Sequence, residues 1–161
     1  MRTVLKLQPI VAMRLFSLLS RVAILCFATL AMACQLTPVR GPDADTLYQQ
    51  VGGQIGVTTV VEGLLHRVHG DPRLSGLFEN TDLADLQRLV EEQLCAALGG
   101  PCVYTGRDME EAHSGLAITD QEFDWFVEHL IASMTAAGLA QSQQSAILEL
   151  LGPMRPQVVG Q

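Results

Sequence analysis

The chain has 161 residues, 48% hydrophobic and 17% charged, with four cysteines; that length fits one domain, and so apolar a chain is not a disordered one. Before residue 40 the only charges are Arg2, Lys6, Arg14 and Arg21, so the remainder carries six arginines against seventeen acidic residues, a net of −11 with no lysine. A surface that negative repels phosphate, which argues against nucleic acid or an anionic membrane face as a partner.

The N-terminus reads as an address. Basic residues lead into residues 22–33, an apolar run broken only by Thr29 and ending on the small residues Ala31 and Ala33, the pattern of a secretory signal peptide. A helix of twelve residues covers about 18 Å, well short of a roughly 30 Å hydrocarbon core, so a permanent membrane span is the weaker reading. Met13 would serve as an alternative start. Leu30-Ala31-Met32-Ala33-Cys34 also resembles a lipobox, although Ala31 stands where such boxes usually carry Leu. Two outcomes follow: cleavage after Ala33, or a lipid on Cys34 that anchors the chain. Either way the chain is expected to be exported, as a periplasmic protein or a membrane-anchored lipoprotein. Residues 1–33 are thus the signal, residues 34–46, with Pro38, Gly41, Pro42, Asp43 and Asp45, a tether, and residues 47–159 the domain.

Within the domain no window alternates with period two, and apolar residues recur at three and four residue spacing, which predicts an all-α fold. Val57, Val60, Val61, Leu64, Leu65 and Val68 form one stripe, with Glu62, His66, Arg67 and His69 opposite, and Asp71-Pro72 stops that helix. A second helix, capped by Thr81 or Asp82, carries Leu83, Leu86, Leu89, Val90, Leu94 and Leu98 and ends at Gly99-Gly100-Pro101. Thr119 caps a third with Phe123, Phe126, Val127, Leu130, Ile131 and Met134, and Asp120 and Glu122 sit in its first turn, where the helix dipole favours them. A last helix from about Gln141 carries Ile147, Leu148, Leu151 and Met154; Pro153 should kink it or lie in a strained final third.

Residues 102–118 hold two glycines, Asp108, Glu110, Glu111 and His113, with Val103, Tyr104, Met109, Ala112, Leu116 and Ile118 as an inward face. A short loop-bound helix is expected there. His113 falls four residues after Met109 and three before Leu116, which places its imidazole on their side. Spacing alone leaves it either a hydrogen-bonded rim histidine or a ligand.

Three separated motifs carry a resemblance: Leu47-Tyr48-Gln49-Gln50-Val51-Gly52-Gly53; Asp71-Pro72-Arg73-Leu74-Ser75-Gly76-Leu77-Phe78-Glu79-Asn80-Thr81-Asp82; and Gly99-Gly100-Pro101-Cys102-Val103-Tyr104-Thr105-Gly106-Arg107-Asp108-Met109 with His113 and Leu116 to Thr119. Residues 47–159 resemble a group I truncated haemoglobin. The resemblance implies a shortened globin fold, a two-over-two helical sandwich whose proximal helix is about one turn. It implies haem b as cofactor, with His113 on the iron and the opposite position open to a diatomic gas. Phe78 is expected to pack on the porphyrin, Tyr104, Thr81 and Arg107 to approach its propionates, and Met109, Leu116, Ile118, Phe123 and Val127 to wall the pocket.

On the gas side many members carry a tyrosine and a glutamine; the matching positions here are Leu65 and Val90, with Leu86 and Leu94 beside them. Oxygen held on ferrous iron gathers negative charge. A missing charge-assisted hydrogen bond therefore costs about 1.5–3 kcal/mol, or roughly ten- to hundred-fold in affinity. Fast oxygen release is expected, with discrimination shifted toward carbon monoxide. His66 and His69 read as solvated, His66 reaching the iron only after a register shift; His129 is assigned nothing. Cys95 and Cys102, seven residues apart, would close a small loop in an oxidising compartment and stay reduced in a cytosolic one. The implied function is binding of oxygen, carbon monoxide or nitric oxide. Nitric oxide dioxygenation or weak peroxidase turnover with an external reductase, and a haem-free helical module, are the alternatives.

Overall fold

The computed structural model describes residues 46–161; the signal, Cys34 and the tether up to residue 45 lie outside the described residues. Among the described residues six α-helices follow in order: α1 Leu47–Gln50, α2 Gly53–Gly70, α3 Leu83–Ala97, α4 Met109–His113, α5 Asp120–Ala136 and α6 Gln141–Leu151. Short 3-10 segments cover Ser75–Phe78 and Gly152–Gln157, and no strand is present among the described residues.

The α2 helix is the spine. Val57, Val60, Val61, Leu64 and Val68 recur at helical spacing and each exposes 2% or less of its surface, packed between α3 and α5. Burying side chains of this kind is worth roughly 1.5–3 kcal/mol each, so this stripe dominates the stability of the domain. From α5 come Leu130 and Met134, from α6 Ile147, and from the end of α3 Leu94, Cys95 and Leu98. The single turn α1 closes the core with Tyr48 and Val51. Thr46 caps it by accepting from the Gln49 N–H, and the Tyr48 N–H donates to the Leu98 carbonyl at 2.9 Å. A Cβ at Gly56 would lie 1.8 Å from the Val51 carbonyl oxygen, so only glycine lets α2 start this close to α1.

The helix boundaries follow local chemistry. Asp82 caps α3, its carboxylate accepting from the Ala84 and Asp85 N–H groups. At α5 the Thr119 hydroxyl accepts from the Glu122 N–H while the Glu122 carboxylate accepts from the Thr119 backbone, which satisfies two otherwise orphaned donors. Those hydrogen bonds from Thr119 hold the Glu122 carboxyl below its ordinary range. Pro153 neither kinks nor strains a helix: α6 stops at Leu151, and the proline falls in the first turn of the following 3-10 segment, where its missing N–H has no intrahelical partner to lose.

Asp71 and His129 form a cross-link that sequence spacing does not announce. Asp71, only 8% exposed, accepts from the Arg73 guanidinium (Nε at 3.0 Å, Nη2 at 2.6 Å) and lies 2.8 Å from His129 Nε2 on α5. Arg73 in turn lies over the Trp125 ring, 4.4 Å from its centroid. The exit of α2 is thereby pinned to α5. Hydrogen bonds from the Arg73 side chain and backbone, then from His129, hold the Asp71 carboxyl far below its usual range. A depressed acid stabilises the fold above its unfolded pKa of about 3.9, and that contribution drains away as pH falls from there toward the folded value. Asp71→Asn is therefore expected to lower the melting temperature at pH 7, with the gap to the parent narrowing progressively below about pH 4 in a pH series of thermal melts. Equal melting at pH 7 would remove the clamp.

Candidate functional site

The segment between α3 and α5 is short of regular structure, so its shape depends on anchors to α3. Cys95, fully buried in the last turn of α3, is disulfide-bonded to Cys102, with 5.8 Å between their Cα atoms. Of the two states left open by spacing, the oxidised one is present. The turn between them is tight: a Cβ at Gly100 would meet Cys95 Sγ and the Tyr48 ring at 2.7 Å. Glu92 provides the next anchor, accepting from the Thr105 hydroxyl at 2.7 Å and the Thr105 N–H at 3.0 Å. Arg88 supports it, bonding both Glu92 and Thr105, and the Thr105 hydroxyl is the main reason the Glu92 carboxyl is held down. Tyr104 donates its phenolic proton to the Arg107 carbonyl at 2.7 Å, and burial pushes that phenol up. Its hydroxyl therefore braces the loop, and that proton is committed away from any propionate. Val103, expected to face inward, is 76% exposed beside the disulfide.

These anchors deliver α4, whose five residues are capped by the Asp108 carboxylate accepting from the Glu111 N–H at 2.8 Å. Nδ1 of His113 lies 2.7 Å from the Met109 carbonyl oxygen. A carbonyl can only accept, so Nδ1 carries the hydrogen, and in the neutral ring the lone pair is on Nε2. No group among the described residues bonds to that Nε2. The helix ends at His113, so helical spacing does not extend to Leu116, which lies beyond Gly115 and is 41% exposed.

Opposite α4 stands the 3-10 turn with Phe78, and between them opens a cavity of about 460 Å³ lined by Leu77, Asn80, Thr81, Arg107, Ala112, Ser114 and Leu116 among others. Arg73, Arg88 and Arg155 are each ion-paired with carboxylates, but Arg107 bonds only the Glu111 carbonyl, at 3.4 Å. An anion at this mouth would find a guanidinium and the Thr81 hydroxyl. Of the residues expected around a haem, Thr81, Arg107 and Leu116 line this cavity; His113, Leu65, Phe78, Leu86, Val90, Met109, Phe123 and Val127 are half-buried and Ile118 is 9% exposed, all outside its lining. Phe123 has Arg155 over its ring, 4.7 Å from the centroid. Leu94, 6% exposed, is part of the core cluster against which Leu65, Phe78 and Val90 pack. The residue before it, Gln93, instead reaches across to α4, its Nε2 3.1 Å from Met109 Sδ. Lying seven residues after Leu86 and three after Val90, Gln93 was within reach of the same periodicity.

His66 is exposed and lines a different, open cleft with Arg67, Gly70, Asp71, Pro72 and His129, none of which borders the cavity beside α4. No cluster of three or more His, Cys, Asp or Glu side chains gathers among the described residues. A metal held by His113 needs its other ligands from a non-protein group. An imidazole nitrogen with no partner on His113, an open cavity beside its helix and the Arg107 guanidinium and Thr81 hydroxyl at that cavity suit an iron-bearing macrocycle with carboxylates on its edge, so the residues present fit a haem.

Residues 46–159 match the family model described as bacterial-like globin. A group 1 truncated haemoglobin of Mycolicibacterium paratuberculosis is 36% identical over 123 residues, covering 76% of this chain and 90% of the relative. The chain belongs to the group 1 truncated haemoglobins. A second such haemoglobin, from Nostoc sp., is 32% identical over 110 residues, 68% of this chain and 93% of its own. Among solved structures, the truncated haemoglobin of Tetrahymena pyriformis in its Fe(III) form is 28% identical with a TM-score of 0.70, covering 72% of this chain and 99% of that one. The 2/2 haemoglobin of Synechococcus sp. PCC 7002, in the cyanomet state with covalently attached haem, gives 0.68 at the same identity and coverage. The shortened globin fold expected of a truncated haemoglobin is the fold observed.

In this truncated haemoglobin the Cys95–Cys102 bond closes a loop small enough that its loss should cost about 2.5 kcal/mol on chain-entropy grounds. Urea unfolding of Cys102→Ser is expected to show that loss, and reductant added to the parent should bring it to the same midpoint. A parent curve unmoved by reductant would show that the bond does not constrain the unfolded chain.

Proposed function

We propose that the domain binds haem b through His113 and uses it to hold diatomic gases, oxygen, carbon monoxide and nitric oxide, at an apolar site. The observation that carries this reading is the His113 ring, whose Nδ1–H is fixed on the Met109 carbonyl while no described residue bonds its Nε2. An imidazole so oriented by a backbone carbonyl is the second-shell arrangement that makes a histidine a good metal ligand. Family membership supports it. Haem held by His113 would supply an iron able to bind a small diatomic ligand.

The chain does the rest. His113 Nε2 ligates, and the Met109 carbonyl fixes the plane and tautomer of the ring. Phe78, Met109, Leu116, Phe123 and Val127 offer apolar contact to the macrocycle, and Arg107 and Thr81 receive its carboxylates at the mouth. Leu65, Leu86 and Val90 exclude water from the gas side and bring no hydrogen-bond donor to it. The lack of a donor worth about 1.5–3 kcal/mol makes oxygen release fast and shifts discrimination toward carbon monoxide. Reduction of the ferric form falls to an external reductase.

The same proposal places the domain in the cell envelope. Its support is the basic, then apolar, pattern of residues 1–33, followed by Cys34, and the Cys95–Cys102 disulfide, a bond that oxidising compartments sustain.

Purified protein mixed with haemin is expected to give a Soret band and distinct ferric, ferrous and carbonmonoxy spectra, and His113→Ala to abolish them. A protein that takes no porphyrin, or takes it equally well after that substitution, would overturn the reading. Leu65→Tyr, which restores a donor, is expected to slow oxygen dissociation at least tenfold in stopped-flow exchange while changing carbon monoxide binding far less; an unchanged rate would refute the donor account.

A further inference from the structure

We propose that Gln93 is a positioning residue for His113, acting from the opposite helix through Met109. The proposal rests on the reading of His113 as a haem ligand. On α3 residues 86, 90 and 93 share one face, so Gln93 continues the Leu86 and Val90 stripe toward α4. Its side-chain amide donates to Met109 Sδ at 3.1 Å and to Met154 Sδ at 3.6 Å. The two N–H hydrogens thus meet two thioethers, which are weak acceptors. A half-buried amide that exchanges water for two sulfurs gains little stability, and a leucine would fill the same space. What the amide adds is direction.

Met109 is held by its side chain and acts through its backbone. Its thioether accepts from Gln93, and its carbonyl accepts the His113 Nδ1–H at 2.7 Å. A continuous path therefore runs from α3 through one residue to the nitrogen that sets which lone pair the imidazole presents. The path matters because α4 has five residues, too few to hold a helical turn unaided. Met154 brings in a third element. Its 3-10 segment packs on α4 and is itself secured by Arg155, which pairs with Asp120 at 2.8 Å and Asp124 at 2.7 Å. Downstream the Ala117 N–H donates to the Gln161 carbonyl and the Gly160 N–H to the Ile118 carbonyl. Gln93 is where α3, α4 and the C-terminal segment meet. Without its donors Met109 turns, its carbonyl leaves Nδ1, and the ring is free to carry its proton on Nε2, the nitrogen needed for iron.

The test compares the purified full chain with Gln93→Leu, Met109→Leu and the double variant. In porphyrin-free, nitrogen-15-labelled protein, ring-nitrogen shifts report the tautomer of neutral His113, with His129, held by Asp71, as an internal control. In haemin-loaded protein, transfer to an excess of apomyoglobin reports the rate of porphyrin loss. The parent is expected to hold His113 as the Nδ1–H tautomer. Each single variant should populate Nε2–H and lose porphyrin at least tenfold faster, with His129 unchanged. The double should be no worse than either single, since both cut one path. An unchanged tautomer and a loss rate within twofold for Gln93→Leu, additive effects in the double, or a parallel change at His129, would each overturn the proposal. Gln93→Met, which keeps length and packing without the donors, gives the same reading should the leucine variant lose helical circular dichroism. A parent that takes no porphyrin would sink the haem reading alone, because the tautomer comparison still decides the role of Gln93.

Discussion

A helix of five residues cannot support itself in water: its first turn costs more ordering than its hydrogen bonds return. The α4 helix, Met109–His113, is such an element, yet it carries the imidazole proposed as the iron ligand. Everything around it serves to hold it from outside. The disulfide at Cys102, the Glu92 clasp on Thr105, the Tyr104 brace on Arg107 and the amide of Gln93 all act on the twelve residues from 102 to 113, and three of those four reach them from α3. The α3 helix is thus the scaffold of the segment that carries His113.

This arrangement separates stability from chemistry. The α2 stripe is sealed at 2% exposure or less and would pack as well in a protein with no ligand at all. The cavity beside α4 is lined mostly by exposed residues, with only Leu77 and Ala112 half-buried, and lies apart from that core. The Asp71 clamp lies in a different cleft from the haem-side cavity and shares no lining residue with it. Its ion pair and hydrogen bonds secure the α2–α5 crossing without presenting charge to the apolar walls.

The electrostatics follow the same division. Three of the arginines are neutralised in pairs on the surface, and the acidic excess repels phosphate-bearing partners. Arg107 is left to meet a carboxylate at the cavity mouth. Leu65, Leu86 and Val90 are half-buried and their side chains carry no hydrogen-bond donor.

The sequence by itself determined the helices and their ends. Apolar spacing, the caps at Asp82 and Thr119 and the glycines after Leu98 are local properties, readable wherever neighbours along the chain decide the outcome; the resemblance carried by the motif around His113 made that residue the candidate ligand. Periodicity assigns a residue to a face of its own helix and stops where that helix stops, which is why Val103, 76% exposed, was misplaced. It also cannot say what stands opposite. Asp71 finds His129 58 positions away, Gln93 finds Met109 and Met154, and Cys95 reaches Cys102 round a glycine turn, because those partnerships exist only once α2, α3 and α5 have packed. Tertiary structure alone decided them, since a hydrogen bond needs its partner within about 3 Å and chain spacing sets no such distance between elements.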